Sequence, residues 1–482
     1  MHVGIFFISD AVYFDDWVVV DSSSETILNI FQQAGAMFNL VGYLHVGFVS
    51  MGVWSYKFLT FVLMAVAGLF LNEVLKRNGT FGCQTRWCVI LLFLLLPFNM
   101  ARVPLIDFPY TACYVMFFGA WLAIDRYRVL SAILFFLSFN TNSLLVFYVL
   151  PILDLWYRSS ERHSLSTLIK VALARWELMV IPFLFFGAKF MFYRPEGFYA
   201  GYNQSYSLKV IPSMVAAQIR DIFDLHFNSS VVLALFPLVF FLLWKLFSSN
   251  GKKQNTLSHL WYLALGGMAS VLACLPYWIL GYTPTFSDWT SRYQLLMPLG
   301  AALLVSAGLM LLPKFFKVIS LSIILSACIS YGVSGYYHFY IDWQKQLILL
   351  DEFRKDPVVS EANLILIKDR TKDLGAFGRT YRFYEWNGLL ARALGDDRRF
   401  GLELGEVSKY AKGDFDKFFV TQYKSGKHVR SAEEAVAIVQ LDLKAEDGEG
   451  LWSRLAPKIA YKSRILSKKE WVDLSSSEAV PL

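Results

Sequence analysis

The run FKVISLSIILSACISYGVSGY, Phe316–Tyr336, decides how the chain is built. It holds 21 residues and one charge, Lys317. That matches the roughly 20 apolar residues a helix needs to cross a bilayer. Directly after it the composition changes. Residues 337–482 carry 47 of the 83 Lys, Arg, Asp and Glu side chains, 24 basic and 23 acidic, in under a third of the chain. The reading is a long apolar part, 1–336, followed by a nearly neutral water-soluble tail, 337–482.

Working back from Phe316, further apolar stretches fall at about 1–13, 58–75, 87–99, 108–124, 129–139, 142–157, 176–193, 230–247, 258–281 and 294–312. Several are short or carry proline, which a membrane protein tolerates where neighbouring helices bury the freed backbone groups. With 316–336 they make eleven expected spans. Placing the first loop outside puts a basic loop on the inner side at every second connection: Lys76, Arg77 and Arg86; Arg126 and Arg128; Arg158, Arg162, Lys170 and Arg175; Lys245, Lys252 and Lys253; Lys314 and Lys317. This alternation follows the positive-inside rule. It requires two short spans at 129–157, divided at Asn140-Thr-Asn142, and it leaves the tail outside the cytoplasm. The first run, 1–13, reads as a short span; no basic leader or small-residue cleavage site marks it as a signal peptide.

Whole-chain numbers agree. Of 482 residues, 56% are apolar, 17% aromatic and 17% charged, and the mean hydropathy is +0.44. These exclude an ordinary soluble enzyme, a disordered chain and a secreted disulfide scaffold. The net charge of +7 belongs to the loops and gives no reason to expect nucleic acid. The tail reads as a small α/β domain. An amphipathic stretch, Ile341–Phe353, is followed by strand-like runs at Asn363–Ile367, Phe418–Thr421 and Ala435–Leu441. The expected fold is therefore a polytopic α-helical membrane protein with about 11 transmembrane helices and a small C-terminal extracytoplasmic α/β domain.

The sharpest chemical signal is Tyr13-Phe14-Asp15-Asp16-Trp17, two adjacent carboxylates where the first apolar run meets the outer water. Ser22-Ser-Ser-Glu25 then opens a capped amphipathic helix along the membrane surface, inside a first outer loop of 14–57. For an arbitrary membrane protein a solvated interfacial turn is the commoner explanation of such carboxylates; the functional one is a general base at headgroup level. Outer-face cations are Arg102, Lys189, Arg194 and Arg292. Each has a structural reading too: Lys189 as a snorkelling side chain, Arg292 as an interface anchor, and Arg102 as the ion-pair partner of Asp107. The long outer loop, 194–229, opens with Arg194-Pro-Glu196-Gly-Phe-Tyr199-Ala-Gly-Tyr202-Asn203. Its aromatic and amide groups suit sugar faces and hydroxyls, and equally a turn-rich loop. Asp288 and Tyr293 flank Arg292 in Asp288-Trp-Thr-Ser-Arg-Tyr293.

An acidic pair just after the first apolar run, a long first outer loop and an Arg-Tyr pair before a late span together resemble the GT-C superfamily of polytopic, polyprenyl-phosphate-sugar-dependent glycosyltransferases. The likeness covers the architecture; the shared motif is short, and the short first span departs from the pattern. The resemblance implies an inverting transfer on the extracytoplasmic face, with the donor a sugar on a polyprenyl-phosphate carrier and the acceptor hydroxyl on a glycan, lipid or protein. Asp15 would be the base. Asp16 would orient the acceptor, hold a divalent metal or raise its neighbour's pKa. Arg292, Arg194, Arg102 and Lys189 would bind the carrier phosphate. Asp107, Glu196, Tyr199, Tyr202, Asn203, Asp288 and Tyr293 would line the substrate site.

No metal set is visible. Cys83 and Cys88 lack further ligands nearby, and His45, His226 and His338 are scattered. No phosphate-cradling glycine motif marks a nucleotide cofactor. The competing class is a transporter or flippase for a lipid-linked or polar solute, but the ionisable residues gather toward the outer face rather than mid-membrane and no related halves appear. A polysaccharide polymerase or ligase would call for a larger outer loop rich in Arg and His, and a scaffold acting through its tail is the bland alternative. The expected location is a bacterial inner (plasma) membrane, among membrane lipids.

Overall fold

The computed structural model describes residues 2–79, 81–159, 164–200, 208–225, 229–248, 256–286, 289–395, 399–406, 436–443 and 472–479. The chain divides into two compact units, Met1–Ser9 with Ile27–Ser334, and Asp10–Thr26 with Gly335–Leu482. Segment 10–26, which the sequence reading attached to the membrane part, therefore groups with the tail.

The first unit is helical. Five helices among the described residues are long and apolar enough to cross a membrane: Trp54–Arg77, Leu105–Ala123, Ser229–Ser248, Leu260–Ile279 and Lys314–Lys355. Shorter apolar helices are Met37–Met51, Cys83–Leu95, Arg128–Ser138, Leu165–Ala174 and Met297–Met310. The break at Asn140–Asn142 does separate two elements, Arg128–Ser138 and the 3-10 turn Asn142–Tyr148 leading into the helix Val149–Ser159. The first apolar run is different: His2–Ile8 is a 3-10 helix of seven residues. At about 2.0 Å per residue it falls far short of a hydrocarbon core of about 30 Å.

Rings fill the unit's core. Phe93 lies edge-on to Tyr114 and Phe118, and Phe117 to Phe135, with ring centroids 5.3–5.9 Å apart. Small residues let the helices Thr256–Ile279 and Met297–Met310 approach closely. A Cβ on Gly300 would lie 2.4 Å from the Ser270 backbone nitrogen, and one on Gly266 would lie 2.6 Å from that of Leu304. Such close backbone approach is how apolar helices gain contact where no hydrophobic drive separates them from lipid.

The second unit contains a four-stranded sheet in the order β2-β1-β3-β4. Strands β1 (Leu364–Asp369), β2 (Phe400–Glu403) and β3 (Val436–Leu443) are parallel, and β4 (Val472–Ala479) is antiparallel to β3. The helix Phe383–Leu394 connects β1 to β2 and buries Trp386, Leu389 and Leu390. Asn387 locks it to β2 by accepting the Gly401 N–H at 2.8 Å. Expected strands at Asn363–Ile367 and Ala435–Leu441 correspond to β1 and β3; Phe418–Thr421 lies outside the described residues. The amphipathic stretch Ile341–Phe353 is the last part of the single helix Lys314–Lys355. No proline interrupts those 42 residues, so the helix that begins in an apolar run ends as part of the tail.

Candidate functional site

The acidic turn is built within the second unit. Phe14 takes φ +53, a backbone well that costs a bulky residue free energy and persists only where surroundings hold it. Several groups do so. The Tyr13 hydroxyl donates to the Phe339 carbonyl at 2.7 Å, and the Gln346 amide donates to the Val12 carbonyl at 3.0 Å. The Arg379 guanidinium sits 4.1 Å over the Phe14 ring. Arg379 is itself clamped by both oxygens of Glu385, with Nη1 to Oε2 at 2.6 Å, and lies 3.9 Å from Asp342. Asp342 accepts the Tyr381 hydroxyl, the Ala376 N–H at 2.8 Å and the Gln346 amide at 3.1 Å. Asp342, Lys345, Gln346 and Glu385 are completely buried. Buried charge of this kind must be paired and hydrogen-bonded, and here it is.

The chain turns helical at Asp16–Val20, and the two carboxylates part company. Asp16 is completely buried and accepts the Tyr13 N–H at 3.4 Å. Asp15 is half-buried and receives the Tyr384 hydroxyl. Burial first, and then the Asp15 carboxylate, pushes the Tyr384 pKa well above the ordinary tyrosine value. Burial and the Asp342 carboxylate do the same to Tyr13 and Tyr381. These phenols are thus held neutral as donors. Burial pulls the Arg379 pKa down, but the Glu385 carboxylate more than offsets it, so the guanidinium stays charged. Chemically, Asp15 is the member of the pair with access to a proton from outside; Asp16 belongs to the scaffold of the turn.

The remaining candidates lie in the first unit. Arg102, 3% exposed, donates to the Leu295 carbonyl at 3.2 Å and lies 5.4 Å from the Tyr114 ring centroid. Arg292 donates to the Tyr293 hydroxyl at 3.2 Å. Tyr293 packs between Tyr277 and Tyr282 at 4.8 and 5.0 Å. The Tyr277 hydroxyl meets those of Tyr110 at 3.3 Å and Ser143 at 3.0 Å. Asp107 is buried just before the helix Phe108–Ala123, where the helix dipole favours a carboxylate. Asp107 and Arg292 lie within electrostatic reach of Tyr110. Lys189 donates to the Asn142 side chain at 2.9 Å, next in sequence to Ser143. The structure therefore brings Arg102, Asp107, Arg292 and Tyr293 into one arginine–tyrosine cluster, with Lys189 beside it.

Arg194 stays apart: it is exposed, caps its own helix through the Phe190 carbonyl at 2.6 Å, and stacks on the Phe190 ring. Glu196 is exposed, and its N–H donates to the Gln33 carbonyl at 2.8 Å. Tyr199 closes a turn back to the Glu196 carbonyl at 3.0 Å. Tyr202, Asn203 and Asp288 lie outside the described residues.

Tyr110, Tyr277, Tyr282 and Ser143 escaped the sequence reading because tyrosines at the ends of apolar runs look like ordinary interface residues. The tail's Asp342, Arg379, Tyr384 and Glu385 are spread over two helices, Lys314–Lys355 and Phe383–Leu394, and the connection between them, and share no motif. Among the described residues no cluster of three or more His, Cys, Asp or Glu side chains is arranged to hold a metal ion. Comparison with protein-family models, with curated proteins and with solved structures finds no match to this chain.

Proposed function

We propose that this chain is an integral-membrane inverting glycosyltransferase of the GT-C type, moving a sugar from a polyprenyl-phosphate carrier to an acceptor hydroxyl. The observation that carries the reading is Asp15. It is a half-buried carboxylate at a positive-φ turn, oriented by a tyrosine and backed by a buried ionic scaffold. Backbone strain maintained by so many groups is typical of functional positions. In this reading Asp15 takes the acceptor's hydroxyl proton. The oxygen attacks the anomeric carbon, and the bond from that carbon to the carrier phosphate breaks with inversion. The leaving phosphate keeps the electron pair and is stabilised by cations rather than by an acid. Arg292, set among tyrosine rings whose faces suit a sugar, is assigned to that phosphate, with Arg102 and Lys189 in support.

The reading places the reaction on the extracytoplasmic face of a bacterial inner membrane, with the C-terminal domain outside. The test is sugar transfer from a polyprenyl-phosphate donor by purified protein, beside Asp15→Asn, with and without a chelator to read metal dependence. Turnover in the parent and at least about a hundredfold less in the variant is expected for loss of a general base. Full activity in Asp15→Asn removes Asp15 as base. Movement of the intact carrier across proteoliposomes without transfer replaces the enzyme reading with a flippase. Arg292→Ala is expected to weaken donor affinity more than it changes acceptor choice.

A further inference from the structure

A second polar site lies in the first unit, past the opposite ends of the helices Phe108–Ala123 and Trp176–Phe192 that carry Tyr110 and Lys189, and the proposed transfer does not use it. Five ion pairs meet around the ends of the helices Arg128–Ser138, Val149–Ser159, Leu165–Ala174 and Trp176–Phe192. Arg158 donates through Nη1 to Asp125 at 2.9 Å and through Nε to Asp154 at 3.1 Å. Arg175 donates through Nη1 to the Ile124 carbonyl at 3.0 Å. Its Nη2 lies 3.7 Å from Asp125, too far for a hydrogen bond. A guanidinium carries five N–H donors, so each arginine keeps donors to spare. Both line a cavity of about 340 Å³ that opens to the outside, walled also by Asp125, Ser159 and the apolar Leu155, Val171 and Ala174.

Two further features suggest what enters. Among the described residues, this end of the unit carries Arg126, Arg128, Arg158, Lys170 and Arg175 against Asp125, Asp154 and Glu177, a surplus of positive charge. The adjoining helix Leu165–Ala174 leaves Leu165, Ile169 and Leu173 at 72, 51 and 70% exposure. They recur every four residues, so they form one apolar stripe, and Trp176 continues it at 64% exposure. An apolar stripe beside a basic pocket, at the ends of apolar helices, fits a lipid whose tail lies on the stripe and whose head enters the pocket.

We propose that the Arg158–Arg175 cavity binds the phosphate headgroup of an anionic phospholipid. The spare guanidinium donors take the phosphate oxygens, and the Ser159 hydroxyl sits on the rim. Asp125 bridges the two arginines and offsets their mutual repulsion. The positive-inside alternation assigns these loops to the cytoplasmic side, where anionic lipid is plentiful.

Native mass spectrometry of the full chain released from nanodiscs tests this. The nanodiscs hold either phosphatidylcholine alone or phosphatidylcholine with one part in five phosphatidylglycerol. The parent is expected to retain phosphatidylglycerol selectively. Arg158→Gln with Arg175→Gln should weaken retention about tenfold or more, since charge-assisted hydrogen bonds are lost. Lys245→Gln with Lys314→Gln removes the same charge elsewhere and should retain lipid as the parent does. Should the arginine variant misfold, Ser159→Glu keeps both arginines and their carboxylate partners, places a carboxylate where it competes for the spare guanidinium donors, and should also abolish retention. Equal retention by the parent and Ser159→Glu overturns the proposal, as does equal retention of phosphatidylcholine. Thermal stabilisation by inorganic phosphate alone, matching that by phosphatidylglycerol, identifies a free-anion site and overturns the lipid assignment.

Discussion

Replacing Arg379 with methionine tests whether the acidic turn rests on the buried ionic scaffold. Arg379 is 6% exposed, and Glu385 and Asp342 are completely buried. In Arg379→Met, Asp342 keeps the Ala376 N–H, the Tyr381 hydroxyl and the Gln346 amide. Glu385 keeps one donor, the Arg382 N–H at 2.9 Å, and loses its clamp. The cost falls on Glu385, a buried carboxylate left without its cation, and such a loss is worth about 3–5 kcal/mol. Adding Glu385→Gln removes the stranded charge while keeping an acceptor for the helix cap, and should recover at least about half of the loss. Amide hydrogen exchange followed by mass spectrometry reads it segment by segment. At 1.4 kcal/mol per decade, exchange in peptides covering 341–353 and 383–394 should accelerate on the order of a hundredfold or more in the single variant. Peptides covering 13–17 should follow, because the Phe14 ring loses the cation beneath it, while those from Phe108–Ala123 should not change. Unchanged exchange in the single variant, or a double variant as damaged as the single, refutes the idea that this pair holds the turn.

Three further outcomes follow from the same geometry. Tyr384→Phe removes a donor to the Asp15 carboxylate; a hydrogen bond to the charged form lowers a carboxyl pKa, so its loss raises it. If Asp15 is the base, the acid limb of the pH–activity profile moves to higher pH, while Tyr381→Phe, whose hydroxyl serves Asp342, leaves that limb in place. Gly388→Ala would place a Cβ 2.3 Å from the Trp17 ring, so Trp17 must shift; this overpacking should cost about 1–3 kcal/mol and speed amide exchange across 16–20. Tyr13, Tyr381 and Tyr384 have folded pKa values raised above the unfolded one, so their stabilisation is complete below about pH 10 and is lost as pH rises beyond it, each by about 1.4 kcal/mol per pH unit. Tyr381→Phe should therefore flatten the alkaline fall in exchange protection of 383–394, and an equally steep fall would show that this phenol ionises normally in the folded chain.

How much of this was legible in the sequence depends on the range of the interaction. Helices such as Trp54–Arg77 and Ser229–Ser248 announce themselves because a bilayer span is a property of consecutive residues. The run His2–Ile8 misleads for the same reason: apolar composition alone does not say whether the backbone winds as a long helix or as a short 3-10 turn. In the tail, β1 and β3 stand out as dense β-branched and aliphatic runs. Strand β2 has only four residues, one a glycine, and β4 reads Val-Asp-Leu-Ser-Ser-Ser-Glu-Ala, which looks like a loop. An edge strand needs apolar residues on one face only, so its signal is half as dense.

The acidic turn shows the same limit at the level of single side chains. Asp15 and Asp16 are neighbours of one type, and nothing local separates a scaffold carboxylate from one open to solvent. What separates them is tertiary: Asp16 turns back onto the Tyr13 amide and Asp15 toward Tyr384. Grouping Asp10–Thr26 with the tail changes what the tail is for. If Asp15 is a base, the C-terminal domain is the structure that orients it, and the buried Arg379–Glu385 pair is kept for geometry rather than for stability, since a well-packed apolar pair would stabilise the unit at least as well. That is a testable distinction. An apolar replacement of both Arg379 and Glu385 that preserves exchange protection yet abolishes transfer would show positioning, and one that preserves both would make the pair ornamental to the reaction.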